Sequence, residues 1–199
     1  MNKNIMALTA VILAVVIIAG GFYIIGNVRG DDVKDAVPND GLSTITEFDV
    51  SDRSKTESFA NGTFFVLQEK NKIHIKMVAE IFVEEADKGG VEIYLPDGLV
   101  ITEIVCSING CISSDYVAIW ETSDNSEKYH KFIQIARSLY IPDVSSGGAG
   151  TLIVEYDLDR SAIDENVSSL DFAIALGTKY SDTSVSTGIV HKTINVPLS

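Results

Sequence analysis

Residues Ile5 to Ile25 run IMALTAVILAVVIIAGGFYII without one charged side chain, 21 residues in all. As a helix at 1.5 Å per residue the run spans about 30 Å, the thickness of a bilayer's hydrocarbon core. It therefore predicts a transmembrane segment at 5–25, behind a short stub at 1–4. Everything after it is polar enough to fold in water.

The flanks set the expected direction. Lys3 precedes the run, while Arg29 follows it and is met at once by Asp31 and Asp32. The positive-inside rule keeps the short basic end in the cytoplasm and sends the C-terminal mass across. Phe22 and Tyr23 lie where aromatic rings favour the headgroup layer. A cleaved secretory signal is the rival reading, but the run is long and Ile17-Ile18-Ala19 offers a bulky residue at the −3 position of a cut. A prepilin-like leader is a third, and Lys3-Asn4 lacks the small residue expected there. The expected localisation is a single-pass cell-membrane protein with its C-terminal domain outside the cytoplasm.

Residues 26–42 are rich in Gly and Asp, include Pro38 and Asn39-Asp40-Gly41, and show no apolar period. They read as a juxtamembrane linker. The Arg29-Gly30-Asp31 triplet in it abuts the membrane, a poor place for an adhesion ligand. All 28 acidic residues and 13 of the 15 basic ones follow residue 30, which gives the exported part a formal charge of −15. That charge repels nucleic acid and anionic headgroups. The length is enough for one domain with its own core, expected at 43–199.

Within that domain the dominant period is two. Lys72 to Val83, KIHIKMVAEIFV, puts Ile73, Ile75, Met77, Ala79, Ile81 and Val83 on one face and polar or mixed residues on the other, as a half-buried strand does. Val91–Leu95 follows, closed by the turn Pro96-Asp97-Gly98. Further strand-like runs are Thr44–Val50, Thr63–Gln68, Leu99–Cys106, Tyr116–Glu121, Lys131–Ile141, Thr151–Leu158, Leu170–Leu176 and Ile189–Val196. Leu170–Leu176 is apolar on both faces apart from Asp171, which suits a central strand, although its alanines also allow a short helix. Asp159–Ser169 is a crossing loop or short helix. The fold class is all-β: a two-sheet antiparallel β-sandwich, jelly-roll or Ig-like, of 8–9 strands, preceded by the N-terminal transmembrane helix.

Cys106 and Cys111 flank Ser107-Ile108-Asn109-Gly110. A four-residue loop would set the two cysteines opposite each other, within disulfide range. A two-residue Asn-Gly turn would make them diagonal neighbours instead. In an oxidising location a disulfide is expected, adding about 2 kcal/mol for so small a ring. His74, His130 and His191 are scattered and no further cysteine exists, so no metal site is expected.

Signatures of catalysis are missing: there is no G-x-S-x-G, H-E-x-x-H, P-loop or G-x-G-x-x-G. Neither catalytic residues nor a cofactor are expected. The acidic residues Asp157, Asp159, Asp164 and Glu165 miss the EF-hand spacing and read as a solvated loop. Ser145–Gly150 is glycine-rich but leads into a strand, and reads as a loop. Asn61-Gly62-Thr63 and Asn166-Val167-Ser168 fit the N-glycosylation rule, both near expected loops. Tyr116 and Trp120 fall on the same side of an alternating strand and form the candidate binding platform, unless they are core.

The segment order from Gly89 onward resembles cohesin modules and related carbohydrate-binding sandwiches. Gly90-Val91-Glu92-Ile93-Tyr94-Leu95-Pro96-Asp97-Gly98-Leu99-Val100-Ile101 is similar to a strand that ends in a Tyr-Asp-Pro-type turn and resumes as Leu-x-Val, with Pro-Asp here in place of Asp-Pro. Gly150–Tyr156 resembles the family's Gly-x-Leu strand, followed by a polar crossing and a closing strand, here Ile189–Val196. The resemblance covers roughly residues 60–197. It implies a jelly-roll-like sandwich binding a protein or glycan through one face. No recognition residues carry over.

These readings converge on a membrane-anchored surface sandwich with a non-catalytic role in binding, adhesion or envelope assembly. Its partner is a protein or glycan of unstated identity, and its other partner is the membrane. The alternative is a structural subunit of a larger surface machine, a layout similar to that of archaellum stator subunits. An enzyme is the remote third.

Overall fold

Period-two alternation becomes eleven strands among the described residues: β1 Gly41–Ser51, β2 Phe59–Gln68, β3 Lys72–Val83, β4 Val91–Leu95, β5 Val100–Ile108, β6 Cys111–Ile112, β7 Val117–Glu121, β8 Lys131–Ile135, β9 Gly148–Asp159, β10 Ser169–Leu176 and β11 Val190–Pro197. The computed structural model describes residues 41–84, 87, 89–112, 114–121, 128–135, 147–164, 166–177 and 190–198. The expected stub, transmembrane helix and most of the linker lie outside them. No helix among the described residues is long and apolar enough to cross a membrane.

The strands form two sheets, ordered β1-β2-β3-β9-β5-β6 and β11-β10-β4-β8-β7. Every pairing is antiparallel. The fold is an all-β sandwich. Its inner faces meet in one apolar cluster that draws on both sheets. Phe172 of β10 lies 4.6 Å from the Phe64 ring of β2 and 5.7 Å from the Tyr156 ring of β9, so aromatic side chains from the two sheets meet at the centre.

β3 shows how the pattern is used. Ile73, Ile75, Met77, Ala79, Ile81 and Val83 are all buried. Ile75 pairs with Tyr156, Met77 with Val154 and Ala79 with Leu152, which aligns the inward residues of β3 and β9. Burying a large aliphatic side chain is worth about 1.5–3 kcal/mol. On the other face, Lys76 meets Glu155 at 2.6 Å across the same ladder.

β10 lies between β11 and β4 and forms a strand, not a helix. Its outward alanines face large neighbours: Ala173 opposes Tyr94, and Ala175 opposes Glu92 and His191. Small side chains there leave room for the rings beside them.

Several boundaries differ from the expectation. β1 begins at Gly41, two residues inside the expected linker. β2 begins at Phe59, and β5 continues to Ile108. Gly148–Gly150 were expected in a loop but open β9, with Gly150 paired to Ile108 and Ile81. Glycine is required by contact at that point, since a Cβ on Gly150 would lie 2.1 Å from the Ser107 carbonyl oxygen. Among the described residues of Asp159–Ser169 there is one 3-10 turn, Arg160–Ala162, whose Asp159 cap accepts from the Ser161 N–H.

Candidate binding face

The outer face of the five-stranded sheet carries an aromatic row. Trp120 of β7 pairs with Phe132 of β8, and Phe132 pairs with Tyr94 of β4. Antiparallel partners point to the same face. The Trp120 and Phe132 rings stack with centroids 6.3 Å apart and planes 18° apart, and Phe132 and Tyr94 stack at 5.1 Å and 29°. The Tyr94 ring also meets Tyr129 at 5.8 Å and His191 at 6.3 Å. Trp120 is 38% exposed.

The next row along the same face is polar. Gln134 of β8 stands opposite Glu92 of β4. The Trp120 indole Nε1 donates to Gln134 Oε1 at 3.1 Å, and Gln134 Nε2 donates to Glu92 Oε1 and to the Gly89 carbonyl, both at 3.0 Å. The Tyr94 hydroxyl donates to Glu92 Oε2 at 2.6 Å. Both ends of the Gln134 amide are therefore engaged, as a buried polar group requires. At the margin, Lys128 reaches Asp171 at 3.0 Å and lies 5.2 Å from the Tyr129 ring centre. Bonds from Asn195 and Lys128 hold the Asp171 carboxyl below the ordinary value.

A fixed row of rings beside a hydrogen-bonded amide and carboxylate offers stacking surface and oriented acceptors. This is binding chemistry. Among the described residues, no group of three or more His, Cys, Asp or Glu could hold a metal ion.

The structure separates the two residues of the expected platform. Trp120 belongs to the face, but Tyr116 does not share its strand. Tyr116 ends a 3-10 turn, Ser114–Tyr116, and packs against the apolar core. The turn breaks the alternation that had placed the two rings together. Phe132, Tyr94, Gln134 and Glu92 take its place. The alternation of KFIQI and VEIYL puts each of them outward, although it does not show that the two strands are neighbours.

The cysteines occupy the second of the two anticipated arrangements. Asn109 has φ 52° and Gly110 φ 81°, which completes a two-residue turn. Cys111 pairs with Ile108, so Cys106 is its diagonal neighbour and not its opposite. Both thiols are free in the structure, Cys106 buried and Cys111 exposed. Burial pushes the Cys106 thiol up to about 11.

The two sequons differ. Asn61 is not in a loop: it lies within β2, paired with Asp49 and Glu80, and its amide nitrogen can donate to Asp49 Oδ1 at 3.0 Å. Asn166 is exposed in a turn, where its N–H and Nδ2 donate to Asp164 Oδ1 at 2.9 and 2.8 Å. Of the four acidic residues of this stretch, Glu165 lies outside the described residues, and the other three have separate local partners. Asp157 meets His74 and Lys72, Asp159 caps the 3-10 turn, and Asp164 holds the Asn166 turn.

Sequence inspection missed Asp87. It is fully buried between β3 and β4, and accepts bonds from Ser58 Oγ at 2.7 Å and from the N–H groups of Gly89, Gly90 and Gly177 at 3.0–3.1 Å. It ties together the approach to β2, the β3–β4 connection and the end of β10. Burial raises its carboxyl above the ordinary value against the pull of those four donors.

No protein-family model matches the chain, and no curated protein matches it. Among solved structures, a pilus backbone protein from Streptococcus pneumoniae is similar at 10% identity and a TM-score of 0.32, with 66% of this chain and 65% of that one covered. The chain thus spans just under two thirds of that structure.

Proposed function

We propose that this chain is a membrane-tethered, extracytoplasmic β-sandwich that binds a protein or glycan of the cell envelope and catalyses nothing. The tether rests on the uncharged run Ile5–Ile25 with Lys3 on its short side. Binding rests on one observation above the rest, the stacked row Trp120–Phe132–Tyr94 on an outer sheet face, with Trp120 38% exposed at its end. Rings that serve only as core face inward, whereas these lie on the side away from the apolar cluster.

Trp120 is the only tryptophan in the chain, so intrinsic fluorescence reports on this face alone. The full chain in detergent, titrated with solubilised envelope polysaccharide and separately with envelope protein fractions resolved to single components, should show a saturable fluorescence change with one of them. Followed by calorimetry, which does not need the indole, Trp120→Ala should weaken that binding by about tenfold or more, the scale of a lost aromatic anchor, and Trp120→Phe should keep part of it. Saturable binding that leaves the fluorescence unmoved and survives Trp120→Ala would place the function elsewhere.

A structural role in a larger surface assembly is the second reading. The observation that favours it is the pair of long outer strands, β1 and β11, brought together on one side of the sandwich.

A further inference from the structure

Between β9 and β10 the chain crosses from the six-stranded to the five-stranded sheet. Asn166, Val167 and Ser168 lie in that crossing, and all three are exposed. Asn166 is held by one neighbour. Its N–H and its Nδ2 donate to Asp164 Oδ1 at 2.9 and 2.8 Å, and the Val167 N–H donates to the Asp164 carbonyl at 3.0 Å. The Ser168 carbonyl accepts from the Leu198 N–H at 2.8 Å, which fixes the far end of the triplet where β10 begins. The Ser168 hydroxyl makes no hydrogen bond among the described residues.

The other sequon has the opposite setting. Asn61, Gly62 and Thr63 are half-buried within β2, and each has a ladder partner on both sides, in β1 and in β3. The Asn61 amide nitrogen can donate to Asp49 Oδ1 at 3.0 Å and to the Ala60 carbonyl at 3.1 Å. An enzyme that modifies a peptide has to grip its backbone. At Asn61 that means parting β2 from both neighbours, whereas at Asn166 it means opening the local bonds of one turn.

We propose that Asn166 is the acceptor of an N-linked glycan and that Asn61 is not. The donor is an oligosaccharide carried on a polyprenyl phosphate. Asn166 Nδ2 attacks the anomeric carbon, where a C–N bond forms. The bond from that carbon to the phosphate oxygen breaks, its electron pair leaves with the lipid phosphate, and one amide proton passes to a base of the transferase. No oxidant or reductant takes part. Ser168 supplies the hydroxyl that the sequon requires two residues on. The glycan stands at the end of the sandwich where β1 begins, since Gly41 pairs with Gln68 and Lys72 with Asp159. This inference rests on the domain's lying outside the cytoplasm and not on the aromatic face.

The test uses the full chain isolated from the membranes of the cells that naturally make it. Cleavage after lysine and arginine separates the two sequons, since peptide 56–70 carries Asn61 and peptide 161–179 carries Asn166. Mass spectrometry should find 161–179 heavier by a set of sugar residues and 56–70 at its plain mass. Asn166→Gln and Ser168→Ala should each abolish the added mass. Ser168→Thr should keep it, because threonine meets the same rule, and Asn61→Gln should leave it unchanged. A plain 161–179 overturns the proposal, as does sugar on Asn61, or added mass on 161–179 that survives Ser168→Ala. Protease added to intact cells separates the two causes of a plain peptide: a protected domain also refutes the topology, whereas an accessible one refutes the acceptor alone.

Discussion

The Tyr156 hydroxyl sits at the centre of the sandwich, 1% exposed, with no hydrogen-bond partner among the described residues. Burial drives its pKa upward, so it stays a neutral phenol. An unpaired buried hydroxyl costs about 1–3 kcal/mol, whereas its ring fills space beside Phe172. Tyr156→Phe should therefore leave stability unchanged or raise it by about 1 kcal/mol in urea unfolding. A loss of that size would mean the hydroxyl has a partner. Asp87 is the opposite case, buried but with four donors. Its raised carboxyl means the folded state holds a proton more tightly than the unfolded chain. Stability from this group is then greatest at low pH and falls as pH rises from the ordinary carboxylate value through the folded one. Asp87→Asn abolishes the titration. The stability of the parent minus that of the variant should shrink between pH 4 and pH 7, read from urea midpoints at each pH. A difference that grows with pH would mean the four donors outweigh burial.

At the scale of elements, β3 and β4 could be read from the sequence to the residue, because each alternates cleanly and ends at a turn of Gly or Pro. The start of β9 could not. Gly148–Gly150 look like a loop until Ser107 and Val83 are placed beside them, and that contact is set by strands distant in sequence. Tyr116 failed for a local reason: alternation was extended one residue past the start of β7 into a 3-10 turn. The Asn109-Gly110 turn was legible as a turn, but its length decided the cysteine geometry. With Cys106 buried and its thiol pushed up to about 11, and Cys111 exposed, their reactivities should separate. Native reduced protein should take one equivalent of a thiol reagent quickly and the second only on unfolding. Protein isolated without reductant that takes no reagent, native or unfolded, would establish a bond between these diagonal neighbours. Two equally fast thiols would mean that the β5–β6 hairpin is open.

Over the whole molecule, the class of fold was legible and the order of strands was not. Period-two faces announce half-buried strands, but ladder bonds are made by backbone and carry no residue code, so nothing in the sequence says that β3 lies between β2 and β9. The aromatic row has the same origin. Its rings come from Val91–Leu95, Val117–Glu121 and Lys131–Ile135, and only the order β4-β8-β7 brings them together. The proposed envelope role rests on one premise, the side of the membrane on which the sandwich lies. The premise has a physical basis in Lys3 on the short side of the uncharged run. A protease added to intact cells should degrade the sandwich, while a cytoplasmic marker in the same cells stays whole. Sheet interiors resist cleavage because their backbone is bonded and buried, so fragments should retain the ladders β1-β2-β3. Protection in intact cells followed by degradation after lysis would put the domain in the cytoplasm, and would remove an envelope ligand from consideration.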